Sequence, residues 1–169
     1  KPSDLDAIAV GKGPGSYTGL RIGVAAAKGL CFALNIPLIA INSLEIICQE
    51  YKAKPEEILF PMFDARRMEV YTMAINSEKE ILKETAAEII DVDTFKDFQK
   101  DKTWILIGEG SKKCKDILKG SHIKYIDKIN YPSARGMVSL SYESFAKKKF
   151  ENIAYFEPFY LKDFLSTKS

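Results

Sequence analysis

Histidine occurs once and cysteine three times in these 169 residues, and that scarcity removes whole classes of chemistry. A protein zinc centre draws on several His and Cys ligands at short spacings, and no such cluster is present. Cys31, Cys48 and Cys114 are odd in number, widely separated and without a C-x-x-C pair, which fits reduced thiols in a cytoplasmic protein. Cys31 and Cys48 fall on apolar helical faces and are expected as buried filler. The lone His122 lies in Gly120-Ser121-His122-Ile123 with no Ser or Cys nucleophile signature beside it, so a turn histidine is expected rather than a triad member.

Long apolar runs are missing too. None approaches the roughly 18 residues of a membrane helix, so no membrane is expected. Lys1-Pro2-Ser3-Asp4 shows no charged-then-apolar leader, and no export signal is expected from it. A formal net charge of +2 argues against a protein whose main task is gripping nucleic acid through phosphates. The densest basic run, Lys147-Lys148-Lys149, reads as a solvated helix C-terminus complementing the helix dipole, with weak contact to RNA or an acidic partner as the other reading. What is present is ordinary for a globular chain: 46% apolar and 28% charged residues, enough for one core or two small lobes.

Along the chain, Leu5–Val10 reads as a strand and Gly11-Lys12-Gly13-Pro14-Gly15 as a loop. Tyr17–Leu34 reads as a helix of about 27 Å, stopped by Asn35 and Pro37. Pro37–Ile41 is a strand, and Asn42 or Ser43 caps a helix running to about Ala53, with Glu45 in its first turn. A second segment then offers strands at Ile58–Phe63, Met68–Ile75 and Ile81–Ile90, with Asp64-Ala65-Arg66-Arg67 as the first turn. A short helix from Thr94, a strand at Thr103–Ile107, a helix Ser111–Leu118 and a strand near Ile123–Ile126 follow. Ala134–Phe150 closes as a helix. Two segments result, 1–56 and 57–169. The first repeats only the back half of the second's element order, which implies that leading strands and a first helix precede it. Tyr155-Phe156-Glu157-Pro158-Phe159-Tyr160-Leu161 reads as an extended segment packed on the body, and Ser166–Ser169 as a frayed end.

The most informative stretch is Gly13-Pro14-Gly15-Ser16-Tyr17-Thr18-Gly19-Leu20-Arg21-Ile22-Gly23. Gly13 and Gly15 permit a tight turn, Ser16 or Thr18 can cap the helix, and its free N–H groups can hold an anion. Arg21 could assist. The stretch is neither a P-loop, since Ser16-Tyr17 follows Gly15, nor a dinucleotide fingerprint, since Ser16 stands at the third glycine position. A tight turn without ligand is the plainer reading.

The helix is apolar nearly all round. Leu20, Val24, Ala27, Cys31 and Leu34 line one face, while Ile22, Ala25, Ala26, Leu30, Phe32 and Ala33 cover most of the rest. Arg21 and Lys28 are its only charges. Such a helix is covered on more than one side, here by a sheet and by a further helix or another subunit.

Asp64 sits at a hairpin turn, where sugar-kinase-like ATPases set an Asp beside glycine to wrap a phosphate; here Arg66 stands where that glycine would fall. The plainer reading pairs Asp64 with Arg66 or Arg67. Gly13, Gly15, Ser16, Thr18 and Asp64 are therefore a candidate anion or nucleotide loop, and Asp64 with Glu69 a weaker acid–base pair.

The Gly13–Gly23 stretch resembles the signature of the TsaB family, once described as glycoprotease-like. Ser43-Leu44, Asp64-Ala65-Arg66 with Glu69-Val70-Tyr71, and Glu157-Pro158 with Tyr160-Leu161 agree in the same order. The resemblance implies an α/β, actin-like or ribonuclease H-like two-lobed fold of the ATPase superfamily, its first lobe incomplete at the N-terminus. It implies a non-catalytic subunit pairing with TsaD in making threonylcarbamoyladenosine beside the anticodon of tRNA, with the ATPase TsaE assisting. No cofactor is then assigned to this chain, ATP is used by the complex, and tRNA is met indirectly. Tyr17, Arg21, Ala25 and Lys28 are the expected partner contacts, with a homodimer through the same helix as the other assembly. The H-x-x-x-H pair that TsaD uses for metal cannot occur in a chain with one histidine. The rival reading is a small ATP-binding phosphotransferase or hydrolase of the same fold.

Overall fold

The computed structural model describes residues 1–98 and 100–162; the expected frayed end at 166–169 lies outside them. Two sheets carry the fold. β1 (Ile8–Gly13) pairs in parallel with β2 (Leu38–Asn42), the two joined by helix α1 (Tyr17–Leu34). The second sheet has five strands: β3 (Glu57–Asp64), β4 (Glu69–Ile75), β5 (Ile81–Ile89), β6 (Thr103–Ile107) and β7 (Ile123–Tyr125). Their order is β5-β4-β3-β6-β7, with the first three antiparallel and β6 and β7 parallel to β3. An antiparallel meander continued by parallel strands is the ribonuclease H-like arrangement, and β1–α1–β2 repeats its parallel half.

Helix α2 (Ser43–Cys48) joins the sheets. Asn42 caps it, its side-chain oxygen accepting from the Leu44 N–H at 2.9 Å. Leu44, Ile47 and Cys48 then pack on one face of the larger sheet with Leu59, Phe63, Met73, Ile105 and Ile107. The opposite face carries an aromatic cluster around Phe60, in which Phe95 and Trp104 lie 4.6 and 5.5 Å from its ring centre. Burying a side chain of that size stabilises the fold by about 1.5–3 kcal/mol.

The chain does not stay in its second segment. Helix α3 (Ala134–Ala146) returns to the first sheet, where Met137 and Leu140 pack on Ile39, Ile41 and Ile46. Gly136 allows the approach, because a Cβ there would stand 2.6 Å from the Ile46 carbonyl oxygen. Glu151 then bridges Leu38 in antiparallel fashion. Ile153 and Phe156 fill the groove between β2 and α1.

Several expectations shift. β1 runs on through Gly11-Lys12-Gly13 rather than ending at Val10, because β2 keeps offering partners as far as Asn42. Helix α2 stops at Cys48, not Ala53, since Tyr51 and the Lys54 N–H turn back to the buried Glu57 carboxylate. No helix forms at Thr94: its hydroxyl is engaged by the Asp91 N–H and carboxylate, a local turn that competes with helix. Glu109–Cys114 is a 3-10 turn instead of an α-helix from Ser111, because Gly110 presses on the Phe63–Asp64 backbone. Helix α3 ends at Ala146, with Lys148 in a left-handed conformation, so Lys147–Lys149 lie just past its last turn and Lys147 pairs with Glu143. Cys31 and Cys48 are buried as expected, and Cys114 joins them. His122 is in a turn and half-buried, its ring edge-on to Trp104 at 4.6 Å.

Candidate functional site

The glycine loop is built by β1 ending against α2. The Gly13 N–H donates to Ser43 Oγ at 3.2 Å, and Gly13 holds a φ of +110° that a side chain rarely adopts. Ser16, not Thr18, is the helix cap, its hydroxyl accepting from the Gly19 N–H at 3.3 Å. Thr18 is exposed in the first turn. Around Gly15 the space is open, with no atom within 4 Å of an added Cβ.

The Asp64 hairpin is closed by lysines. Asp64 Oδ1 accepts from the Arg66 N–H at 2.6 Å and from Lys113 Nζ at 2.6 Å. Lys113 also donates to the carbonyls of Arg67 and Glu69, at 2.8 and 2.6 Å. Lys162 donates to the Ala65 carbonyl and pairs with the Glu69 carboxylate. The carboxylates expected to pair with arginine, or with each other as acid and base, are thus each held by a lysine from a distant segment. Burial alone would raise the Asp64 carboxyl, but the Lys113 ammonium and the Arg66 N–H outweigh it and hold it below the usual carboxylate value. Arg66 takes the glycine-like place with φ 69°, followed by Arg67 at φ 50°. A phosphate-wrapping hairpin turns N–H groups to its ligand; this one turns three carbonyls to two ammonium groups.

Loop and hairpin are tied together by the segment 156–162. The Phe159 N–H donates to the Lys12 carbonyl at 2.7 Å, and Tyr160 packs on Tyr17 at 5.1 Å between ring centres. Lys28 Nζ reaches the Phe156 carbonyl at 2.9 Å. The expectation of an aromatic segment packed on the body holds, and the segment is a strap from α1 across the loop to the hairpin.

Of the four expected partner contacts, two serve this strap. Tyr17 carries the Tyr160 ring and Lys28 holds Phe156, whereas Ala25 is exposed and Arg21 is exposed above the Tyr17 ring, donating to its hydroxyl at 3.2 Å. The buried side of α1 is Val24, Ala27 and Cys31. Its outer side is Thr18, Ile22, Ala25, Ala26, Gly29, Leu30, Phe32 and Ala33, all exposed, with Ile22 at 66% and Phe32 at 83%. Ile22, Leu30 and Phe32 were not singled out from the sequence as contacts. Helical spacing sets Ile22 opposite the Val24–Ala27–Cys31 stripe, but Leu30 and Phe32 fall on its two flanks, where the pattern alone does not say which side is covered. Among the described residues no helix is long and apolar enough to cross a membrane.

A family model described as "TsaD: tRNA N6-adenosine threonylcarbamoyltransferase" matches residues 1–165. The Bacillus subtilis "tRNA threonylcarbamoyladenosine biosynthesis protein TsaB" is 51% identical over 71 residues, covering 42% of this chain and 31% of that protein. The TsaB protein of Buchnera aphidicola (subspecies Schizaphis graminum) is 31% identical over 153 residues, covering 86% of this chain and 71% of its own. Among solved structures, "YeaZ from Pseudomonas aeruginosa" superposes with a TM-score of 0.81 at 27% identity, covering 95% of this chain and 76% of that one. With the signature loop, the two-sheet fold and a match along nearly its whole length, the chain belongs to the TsaB family, within the wider family that the TsaD model describes.

Proposed function

We propose that this chain is a non-catalytic, cytoplasmic subunit of the assembly that makes threonylcarbamoyladenosine beside the anticodon of tRNA, and that it binds the catalytic subunit TsaD through α1. The observation that carries this reading is the outer side of α1. A water-facing helix exposing Ile22, Leu30 and Phe32 at 66, 50 and 83%, between Ala25, Ala26, Gly29 and Ala33, has the composition of an interface core. The small residues let another helix approach closely, and Arg21 adds a charge at the rim. TsaE and ATP act in the assembly rather than on this chain. The candidate loop of Gly13, Gly15, Ser16, Thr18 and Asp64 is then structural, since Ser43 takes the Gly13 N–H, Ser16 caps α1 and Lys113 takes the Asp64 carboxylate. The test is size-exclusion chromatography with light scattering of the protein in its full natural length, mixed with TsaD of the same organism. A stable heterodimer weakened by Arg21→Glu or Ala25→Glu supports the reading. A homodimer indifferent to TsaD overturns it.

The rival is an ATP-binding phosphotransferase or hydrolase of the same fold. It is favoured by a glycine loop and an Asp hairpin joined by one strap, and opposed by the lysines that already fill that hairpin. Nucleotide titration by calorimetry separates the two: micromolar ATP binding with turnover by this chain alone sinks the subunit reading.

A further inference from the structure

We infer that the hairpin tip Arg66-Arg67 contacts the phosphate backbone of RNA, an inference that rests on the tRNA reading above. Two consecutive arginines hold positive φ angles of 69° and 50°, a conformation that side-chain-bearing residues adopt at a cost and that glycine or asparagine would adopt more readily. The tip is nonetheless rigidly seated. Lys113 and Lys162 hold the carbonyls of Ala65, Arg67 and Glu69, and the Asp64 N–H donates to Glu109 at 3.3 Å. The same lysines neutralise the Asp64 and Glu69 carboxylates, while the Glu109 carboxylate stays at the base of the hairpin. Both arginines are exposed, and among the described residues neither forms an ion pair. A strained turn that displays two guanidinium groups, neither ion-paired among the described residues, on a fixed base is preorganised for a polyanion. Arginine's planar donor fork suits phosphate. Beside the charges Met68 is exposed to 37% and Ile89, the cross-strand partner of Glu69, to 72%, so a protein contact is the outcome that the test separates from RNA.

The chain binds RNA weakly through this tip, and the contact positions rather than specifies. The experiment measures anisotropy of a labelled tRNA transcript against the protein, alone and assembled with its catalytic partner, across a salt series. Arg66→Gly/Arg67→Gly removes both charges and relieves the backbone. The slope of log K against log salt becomes shallower by about 1.5, so the affinity gap to the unsubstituted protein shrinks roughly tenfold between 50 and 200 mM salt. Thermal unfolding of the variant moves up by about 2–4 °C or stays unchanged, which shows that lost binding is not lost folding. An unchanged slope in both forms overturns the inference. So does a variant that loses its partner subunit while its RNA slope stays the same, because the tip is then a protein contact. If the unsubstituted protein shows the slope but never assembles with TsaD, the inference stands and the subunit reading fails.

Discussion

Tyr160 packs its ring on Tyr17 at 5.1 Å between centres, tilted by 38°, so the end of the described chain closes over the start of its longest helix. Aromatic pairs of this geometry contribute about 0.5–1.5 kcal/mol beyond the area they bury. Tyr17→Ala and Tyr160→Ala should each lower stability in urea unfolding. The double variant should cost less than the sum of the two by about 0.5–1.5 kcal/mol. Strict additivity would mean the strap is held by its backbone contacts alone.

Gly13 and Gly15 look equivalent in sequence and differ in structure. An added Cβ at Gly13 would stand 2.9 Å from the Phe159 carbonyl oxygen and 3.1 Å from Leu20 Cδ1, on a backbone at φ +110°. Gly13→Ala should cost about 1–3 kcal/mol and make the 156–162 strap the first site of limited proteolysis. Gly15→Ala, with open space around it, should stay within about 0.5 kcal/mol of the unsubstituted protein. Equal costs at the two positions would remove the strap from the account of this loop.

The contrast between those glycines marks how far the sequence could be read. Strands with strong apolar runs, Ile58–Phe63 and Thr103–Ile107, and the helix Tyr17–Leu34 fall where periodicity puts them, because burial on a sheet face enforces the same pattern that is read. Short polar pieces do not. Whether Thr94 starts a helix depends on the Asp91 carboxylate, and whether Ser111 does depends on Gly110 meeting a strand 45 residues or more away in sequence. The same holds for the site. Asp64 and Arg66 were legible as a hairpin, but the lysines that hold it come from positions 113 and 162, and no local pattern announces them. Ile22, Leu30 and Phe32 were visible as apolar residues; only the packed fold separates the outer side of α1 from its buried one.

Lys113 holds one carboxylate and two carbonyls, so Lys113→Met should loosen the whole hairpin. Asp64 is half exposed, and solvent screening limits the loss from the ion pair itself to about 1 kcal/mol. The pH dependence identifies it. With its folded value depressed, the Asp64 carboxyl adds stability that is present above its unfolded value of about 3.9 and is lost as pH falls through the folded value. The stability gap between the unsubstituted protein and Lys113→Met should be widest at neutral pH and narrow below about pH 4. A gap that is flat across urea titrations at pH 3–7 would assign the lysine's effect to the carbonyls.

Glu45 should behave in the opposite sense. It lies half-buried in the first turn of α2, and burial raises its carboxyl, with Lys12 nearby partly offsetting and Glu84 adding to the rise. A helix N-terminus favours a carboxylate, yet α2 is only six residues long and the loss of water outweighs it. The folded state therefore holds the Glu45 proton more tightly than the unfolded chain does. Stability is lost as pH rises from about 4.3, the unfolded value, through the raised folded value, and the cost persists at neutral pH. Glu45→Gln removes that cost, so the variant should be the more stable protein at pH 7 and should lose its advantage near pH 4. Urea midpoints at the two pH values decide it. A variant less stable at pH 7 would mean that Lys12 and the helix start hold the charged form well enough to make the buried carboxylate a net stabiliser.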